Sequence, residues 1–320
     1  MRVAVLDDWQ NIAERAADWS GLRARAEVVF FSDAFTSEDE AAAALADFDV
    51  LMPMRERTAF PESLIARLPK LKFFAMTGKR AASIDFAALA RRGVAMSYSL
   101  DGGNGEATAE LTLALILAAA RFVPAADAAI RAGGFQGGVP VGFQLAGKTI
   151  GLIGLGRLGL LVARYAQALD MRVLAWSPNL TAERAAAGGA ALATREALLR
   201  DSDIVSLHMV LSPTTRGLIG APELALMKSG AVLVNTSRAD LVDEAALIAE
   251  LESGRLIAAL DVFEREPLPA DHPLRRLPNT VLTPHLGYGA IEAYRSFYTQ
   301  GIENVLAFLD GAPIRRLDPP

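Results

Sequence analysis

Short β-rich runs alternate with amphipathic helical stretches along almost the whole chain, and this alternation leaves few folds open. RVAVLD (2–7), AEVVFF (26–31), DVLMPM (49–54), LKFFAM (71–76) and VAMSYS (94–99) make a first series. KTIGLIG (148–154), RVLAWS (172–177), DIVSLHMV (203–210), AVLVNTS (231–237), IAALDVF (257–263) and TVLTPH (280–285) make a second. Strands that each run into a helix need crossover connections, and crossovers of that length force a mostly parallel sheet. Helix punctuation supports the reading: Ser37 and Glu40 have the spacing of a capping box, and Gly93 marks a stop. Two series in 320 residues predict two doubly wound α/β domains, because one hydrophobic core rarely organises so long a chain.

Between the series lies ATAELTLALILAAAR (107–121), apolar on nearly every face. Glu110 and Arg121 bound a run shorter than the roughly 20 residues a bilayer needs. The expectation is a buried helix, able also to join a subunit interface. The Gly-rich RAGGFQGG follows it, and a last helical stretch, AIEAYRSFYTQGIENVLAFLDG, comes after the second series with no sign in the sequence of which domain it joins.

Bulk properties remove other classes. Hydrophobic residues make up 52% of the chain and charged residues 22%, which describes a globular rather than a disordered protein. A net charge of -5 gives no electrostatic footprint for nucleic acid. With zero cysteines there is no disulfide, thiolate metal site or cysteine nucleophile, and no other pattern of metal ligands stands out. The N-terminal MRVAVLDDW lacks the apolar core of a signal peptide, so the expectation is a cytoplasmic protein without a membrane partner.

The first chemical motif is GLIGLGRLG, in which Gly154, Gly156 and Gly159 stand in the G-x-G-x-x-G pattern, with Arg157 and Leu158 inside it. Strand, glycines, helix and second strand occur in order, which is the context a dinucleotide needs. Gly154 permits the tight turn, Gly156 lets the backbone approach a pyrophosphate, and Gly159 lets the helix lie close to the strand. An NAD-selective site carries a carboxylate at the end of the second strand. Here the segment is AWSPN, with Ser177 and Asn179 at that place and Arg184 further on, so NADP is expected to be accepted beside NAD.

Three later loops follow strands at the edge where open α/β sheets bind ligands. NTSRADLVDEAAL delivers Thr236, Ser237 and Arg238, with Asp243 as the cap of the next helix. LDVFEREPLP brings Asp261, Glu264 and Glu266, and LTPHLGYG brings His285. A lone histidine is usually structural, and His208 within a strand and His272 in a polar loop are read so. Arg238, Glu266 and His285 are singled out because all three belong to strand ends on one edge.

These motifs, in order and approximate spacing over nearly the whole chain, resemble the D-isomer-specific 2-hydroxyacid dehydrogenase family. The resemblance implies a Rossmann dinucleotide-binding domain (102–288) inserted into a flavodoxin-like substrate domain (1–101), with 289–320 returning to the latter. It implies that Arg238 grips the carboxylate and keto oxygen of a small 2-oxo acid, that His285 moves the proton, and that Glu266 holds the imidazolium. It places Thr108, Met209, Val210, Thr236, Ser237, Asp261, His285 and Gly287 along the NAD or NADP cofactor, with Asp261 as partner of the nicotinamide carboxamide. The MTGKR segment matches the family's substrate-carboxylate loop, which assigns Gly78, Lys79 and Arg80 to the substrate, and Arg55 adds a cation. Glyoxylate-like or hydroxypyruvate-like substrates and a homodimer follow from the same likeness. The ending RRLDPP leads to the expectation of no added regulatory domain. Two alternatives come with the scaffold: phosphite or formate oxidation, and a dinucleotide-sensing corepressor. Retention of Arg238, Glu266 and His285 in their motifs favours the enzyme over the corepressor.

Overall fold

The computed structural model describes residues 1–317 apart from Arg80 and Asn104. The chain divides into two units, Met1–Gly103 with Ala290–Pro320, and Asn104–Gly289.

The first unit is built on a five-stranded parallel sheet: β1 (Arg2–Val5), β2 (Glu27–Phe30), β3 (Val50–Met52), β4 (Phe73–Thr77) and β5 (Ala95–Ser99), in the order β2-β1-β3-β4-β5. This is the flavodoxin-like order. β3 and β4 are buried on both faces, which is why they read as unbroken apolar runs and not as alternation. The helix Ile291–Leu309, unplaced by composition, packs on β4 and β5. Phe308 stacks on Phe73 with ring centroids 4.4 Å apart, and Asn304 donates to the Tyr98 carbonyl at 2.9 Å. The approach at Gly301 is close, since a Cβ would lie 2.6 Å from the Met52 methyl carbon and that side-chain end would have to turn aside. Beyond that helix the chain pairs Arg316 antiparallel with Ser97, covering an otherwise open sheet edge at β5.

The second unit holds seven parallel strands: β6 (Thr149–Ile153), β7 (Arg172–Trp176), β8 (Ala191–Leu192), β9 (Ile204–Leu207), β10 (Val232–Asn235), β11 (Ile257–Leu260) and β12 (Thr280–Leu282). Their order is β12-β11-β10-β9-β6-β7-β8, so the winding reverses between β6 and β9. Ligands of such sheets bind at that reversal, outside the strand carboxyl ends.

Three expectations are corrected. β8 was not anticipated, because two residues within GGAALATRE carry no β-branched or aromatic signature. The helix Glu106–Ala120 is not buried all round: Ala109, Thr112, Leu115, Ile116, Ala119 and Ala120 are buried, whereas Glu110, Ala114 and Leu117 are exposed. The capping box at Ser37 is half formed. Ser37 accepts from the Glu40 amide at 3.2 Å, but the Glu40 carboxylate turns to the amide and hydroxyl of Thr36, two donors that outbid the single Ser37 amide. Among the described residues no single helix is long and apolar enough to cross a membrane; Glu106–Ala120 and Val123–Arg131 would suffice only together, and they meet at a 66° bend.

Candidate active site

The glycine loop after β6 has the form a pyrophosphate cradle requires. Gly154 has φ +104°, and a Cβ on it would sit 2.6 Å from the His208 carbonyl oxygen at the end of the neighbouring β9. A Cβ on Gly159 would lie 2.2 Å from the Gly154 carbonyl oxygen, so only glycine lets the helix Arg157–Ala168 start this close to the strand. Gly156 is different. Among the described residues a Cβ there would meet no atom within 4 Å, and the helix it precedes has no side-chain cap. The open approach at Gly156 and the uncapped amides of a twelve-residue helix fit a bound dinucleotide phosphate.

Other residues assigned to the cofactor fall into groups around this loop. The Met209 sulfur lies 3.1 Å from the position of a Gly154 Cβ, and Ser237 donates to the Leu207 carbonyl at 2.8 Å, joining β10's end to β9. Val210 is exposed, and its carbonyl accepts from Thr215. Leu158 closes over Gly105 at the start of the apolar helix, while Arg157 is exposed. After β7, Ser177 is half-buried and Asn179 exposed, with Arg184 donating to the Asn179 carbonyl at 3.2 Å.

A second group sits at the carboxyl ends of β10 to β12. Asp261 is fully buried, and burial pushes its carboxyl above the usual range, opposed by its hydrogen bonds and by His285. Oδ1 accepts from the Thr283 hydroxyl at 2.6 Å and the Leu286 amide at 2.7 Å; Oδ2 accepts from the Gly287 amide at 2.8 Å. Asp261 therefore ties down the turn on which His285 sits with φ 55°. Thr108 donates to the Gly287 carbonyl at 2.8 Å, and Thr112, one turn on, meets the Thr236 hydroxyl at 2.8 Å. Thr112 and Thr283 were missed in the sequence. The signal for Thr112 was present: a second threonine four residues after Thr108, on the same stripe of an otherwise apolar helix.

The proposed catalytic set follows three adjacent strands. His285 Nδ1 and Glu266 Oε2 are 2.7 Å apart, and Glu266 Oε1 accepts from the Phe263 amide at 3.0 Å, so both carboxylate oxygens are placed. The pair is shielded, with side-chain exposures of 12% for His285 and 23% for Glu266, so the bond is little weakened by solvent. Tyr288 stands edge-on to the imidazole, ring centroids 6.3 Å apart. Arg238 is half-buried beyond β10, its Nη1 donating to the Ser237 carbonyl at 2.7 Å, and Asn235 Nδ2 donates to its carbonyl at 2.8 Å. Ala239 takes no positive φ, and Asp240 pairs with Arg216 at 2.9 Å.

In the first unit, Gly78 follows β4 with φ +85°, and Arg55 reaches over it, Nη1 lying 3.6 Å from where a Gly78 Cβ would be. Lys79 is exposed, its ammonium 4.4 Å from the Tyr98 ring centre. Arg80 lies outside the described residues. The remaining histidines are structural. His208 comes just after β9, not inside it; its Nε2 is 3.0 Å from the Ser206 hydroxyl, and burial pushes it down to about 4, which keeps it uncharged near neutral pH. His272 joins Glu244 at 3.0 Å and so fastens its loop to a helix start.

Residues 113–287 match the family model described as D-isomer specific 2-hydroxyacid dehydrogenase, NAD binding domain. The chain is 41% identical over 256 residues to a glyoxylate reductase of Aeropyrum pernix, covering 78% of this chain and 76% of that one. It is 38% identical over 263 residues to a D-3-phosphoglycerate dehydrogenase of Archaeoglobus fulgidus, covering 82% of this chain and 50% of that protein. It thus spans about half the length of the phosphoglycerate dehydrogenases it matches. A solved structure of a phosphoglycerate oxidoreductase from Vibrio cholerae superposes with a TM-score of 0.92 at 36% identity, over 98% of this chain and all of that one (100%).

Proposed function

This chain belongs to the D-isomer specific 2-hydroxyacid dehydrogenase family, and from that premise we propose that it interconverts a small 2-oxo acid and its D-2-hydroxy acid. The observation that carries the proposal is the shielded Glu266–His285 bond, which follows strands of the same sheet and at the same carboxyl edge as the glycine cradle. Reduction leaves negative charge on the carbonyl oxygen, which needs a proton and a nearby cation. The bond at Nδ1 orients the ring, and the proton passes to substrate from Nε2. Glu266, held by the Phe263 amide, keeps the ring from rotating and balances the imidazolium. The Arg238 guanidinium takes the substrate carboxylate and keto oxygen, a planar anion suited to its fork of donors. Gly154, Gly156 and Gly159 would hold the dinucleotide phosphates, with Thr108, Thr236, Asp261 and Gly287 toward the nicotinamide and Ser177 and Asn179 toward the adenine ribose. When bound, a nicotinamide supplies the hydride that goes to, or comes from, the substrate's second carbon.

Among substrates, glyoxylate and hydroxypyruvate lead, supported by the relative named glyoxylate reductase, of which the chain covers more than of the phosphoglycerate dehydrogenases. The expected result of a spectrophotometric scan is oxidation of NADH by glyoxylate or hydroxypyruvate. NADPH should work within about tenfold of NADH, because Ser177 and Asn179 stand where an NAD-selective site carries a carboxylate that repels a 2′-phosphate, and Arg184 donates to the Asn179 carbonyl. No turnover with any 2-oxo acid, set against phosphite or formate oxidation or dinucleotide binding alone, would point to the other uses of the scaffold. Strict NADH dependence would remove the NADP half of the proposal.

A homodimer is proposed on the exposed apolar arm of the second unit. The helix Val123–Arg131 buries none of its residues, and Val123, Ile130, Phe135 and Val141 are 51%, 54%, 75% and 96% exposed. Large apolar side chains gathered so along one segment mark an association surface. Sedimentation velocity should give a dimer that Phe135→Glu with Val141→Glu converts to monomer; a monomeric wild type would reject this. The absence of cysteine fits a cytoplasmic setting for the protein.

A further inference from the structure

At the carboxyl end of β1, Asp7 is buried, with 6% exposure and a left-handed backbone at φ 62°. Its two carboxylate oxygens hold the two ends of one turn. Oδ2 accepts from the Met54 amide at 3.2 Å, and Oδ1 accepts from the Thr58 hydroxyl at 2.6 Å. Between those anchors Arg55 also takes a left-handed φ of 54°, which a residue with a Cβ adopts at a cost and keeps only where its surroundings impose it. A third tie completes the turn: the Arg55 amide donates to the hydroxyl of Thr77, the last residue of β4, at 2.8 Å. The strained backbone carries the Arg55 guanidinium back over Gly78.

A buried carboxylate is expensive to maintain, and a turn on the surface of a sheet can be closed by a neutral asparagine or serine. What the carboxylate adds is rigidity in a conformation that Arg55 would not hold by itself. We propose that Asp7 is a positioning residue for the substrate, presetting the 54–58 turn so that Arg55 and the Gly78 backbone together receive the carboxylate of the 2-oxo acid. The inference rests on the proposed reaction, and it assigns a role to the LDDW segment, which the sequence motifs left without one. Preorganisation of this kind acts on binding, since a guanidinium already in place loses less freedom when the anion arrives.

The test compares Asp7→Asn, Thr58→Val and Arg55→Gln with the wild type. Asn cannot accept from both donors, and Val removes only the Thr58 bond, so one variant should remain folded even where the other is impaired. Circular dichroism and melting temperature establish folding. Turnover gives KM and kcat, and calorimetry with oxamate, an unreactive 2-oxo acid mimic, gives binding in the presence of NADH. Asp7→Asn is expected to raise KM and the oxamate Kd about tenfold or more with kcat within about twofold, and the double variant Asp7→Asn/Arg55→Gln should be no worse than Arg55→Gln alone. If the two losses multiply, Asp7 does not act through Arg55, and if a folded Asp7→Asn or Thr58→Val protein keeps wild-type KM and oxamate affinity, Asp7 serves stability only; either result overturns the proposal while the reaction stands. A wild type that turns over no 2-oxo acid overturns both.

Discussion

His285→Ala should lose two to four orders of magnitude in kcat, the usual range for removal of a positioned general acid, while NADH affinity stays within about twofold. The imidazole stands on a turn fixed by Asp261 through three hydrogen bonds, so truncating it leaves the turn and the Gly287 backbone in place. The glycine cradle follows a different strand, β6, and does not depend on the ring. Glu266→Gln should cost less, about ten- to a hundredfold, because the amide can keep the Phe263 bond yet no longer balances an imidazolium. Steady-state kinetics with a fluorescence titration of NADH separates the two readouts. Unchanged turnover in His285→Ala would remove His285 from the chemistry, and an equal fall in cofactor affinity would mean that the ring supports the nucleotide site instead.

The parts legible in the sequence were those set by local chemistry. Strand periodicity and order of elements gave two parallel α/β sheets because doubly buried strands must be continuous apolar runs, as β3 and β4 are. The glycine motif was legible because Gly154 and Gly159 answer local steric demands and the strand, glycines and helix follow one another directly in the chain. Motif likeness picked out His285 and Glu266, yet nothing in spacing could say that they lie 2.7 Å apart, since they stand nineteen positions apart across loop and strand. Asp261 shows the limit. Likeness assigned it to the nicotinamide, whereas its three hydrogen bonds to the His285 turn depend on how two loops meet beyond neighbouring strands. Asp7 was passed over for the same reason: its partners Met54 and Thr58 come from another strand's loop. The apolar helix misled in the opposite direction, because alanine and leucine suit a buried face and an exposed one equally by helix propensity.

Alanine at Gly156 and at Gly159 should produce opposite failures, which makes the pair a strict test of the cradle. Gly156 has φ -87° and ψ -158°, ordinary for any residue, and a Cβ there meets no atom of the described residues within 4 Å, so Gly156→Ala should melt like the wild type. Its methyl group instead enters the space that lets a pyrophosphate approach the backbone, and the dinucleotide Kd should rise by about ten- to a hundredfold, or roughly 1.4 to 2.8 kcal/mol. Gly159→Ala puts a Cβ 2.2 Å from a backbone carbonyl oxygen, an atom that cannot turn aside as a side chain could. The helix Arg157–Ala168 must shift away from β6, at a stability cost of about 1–3 kcal/mol, the range for overpacking a close-packed site. Melting temperature by differential scanning fluorimetry and Kd by NADH fluorescence distinguish the two. A Gly156→Ala protein that binds NADH as the wild type does would mean that the phosphates do not pass over that backbone, and the helix N-terminus would then have no part in holding them.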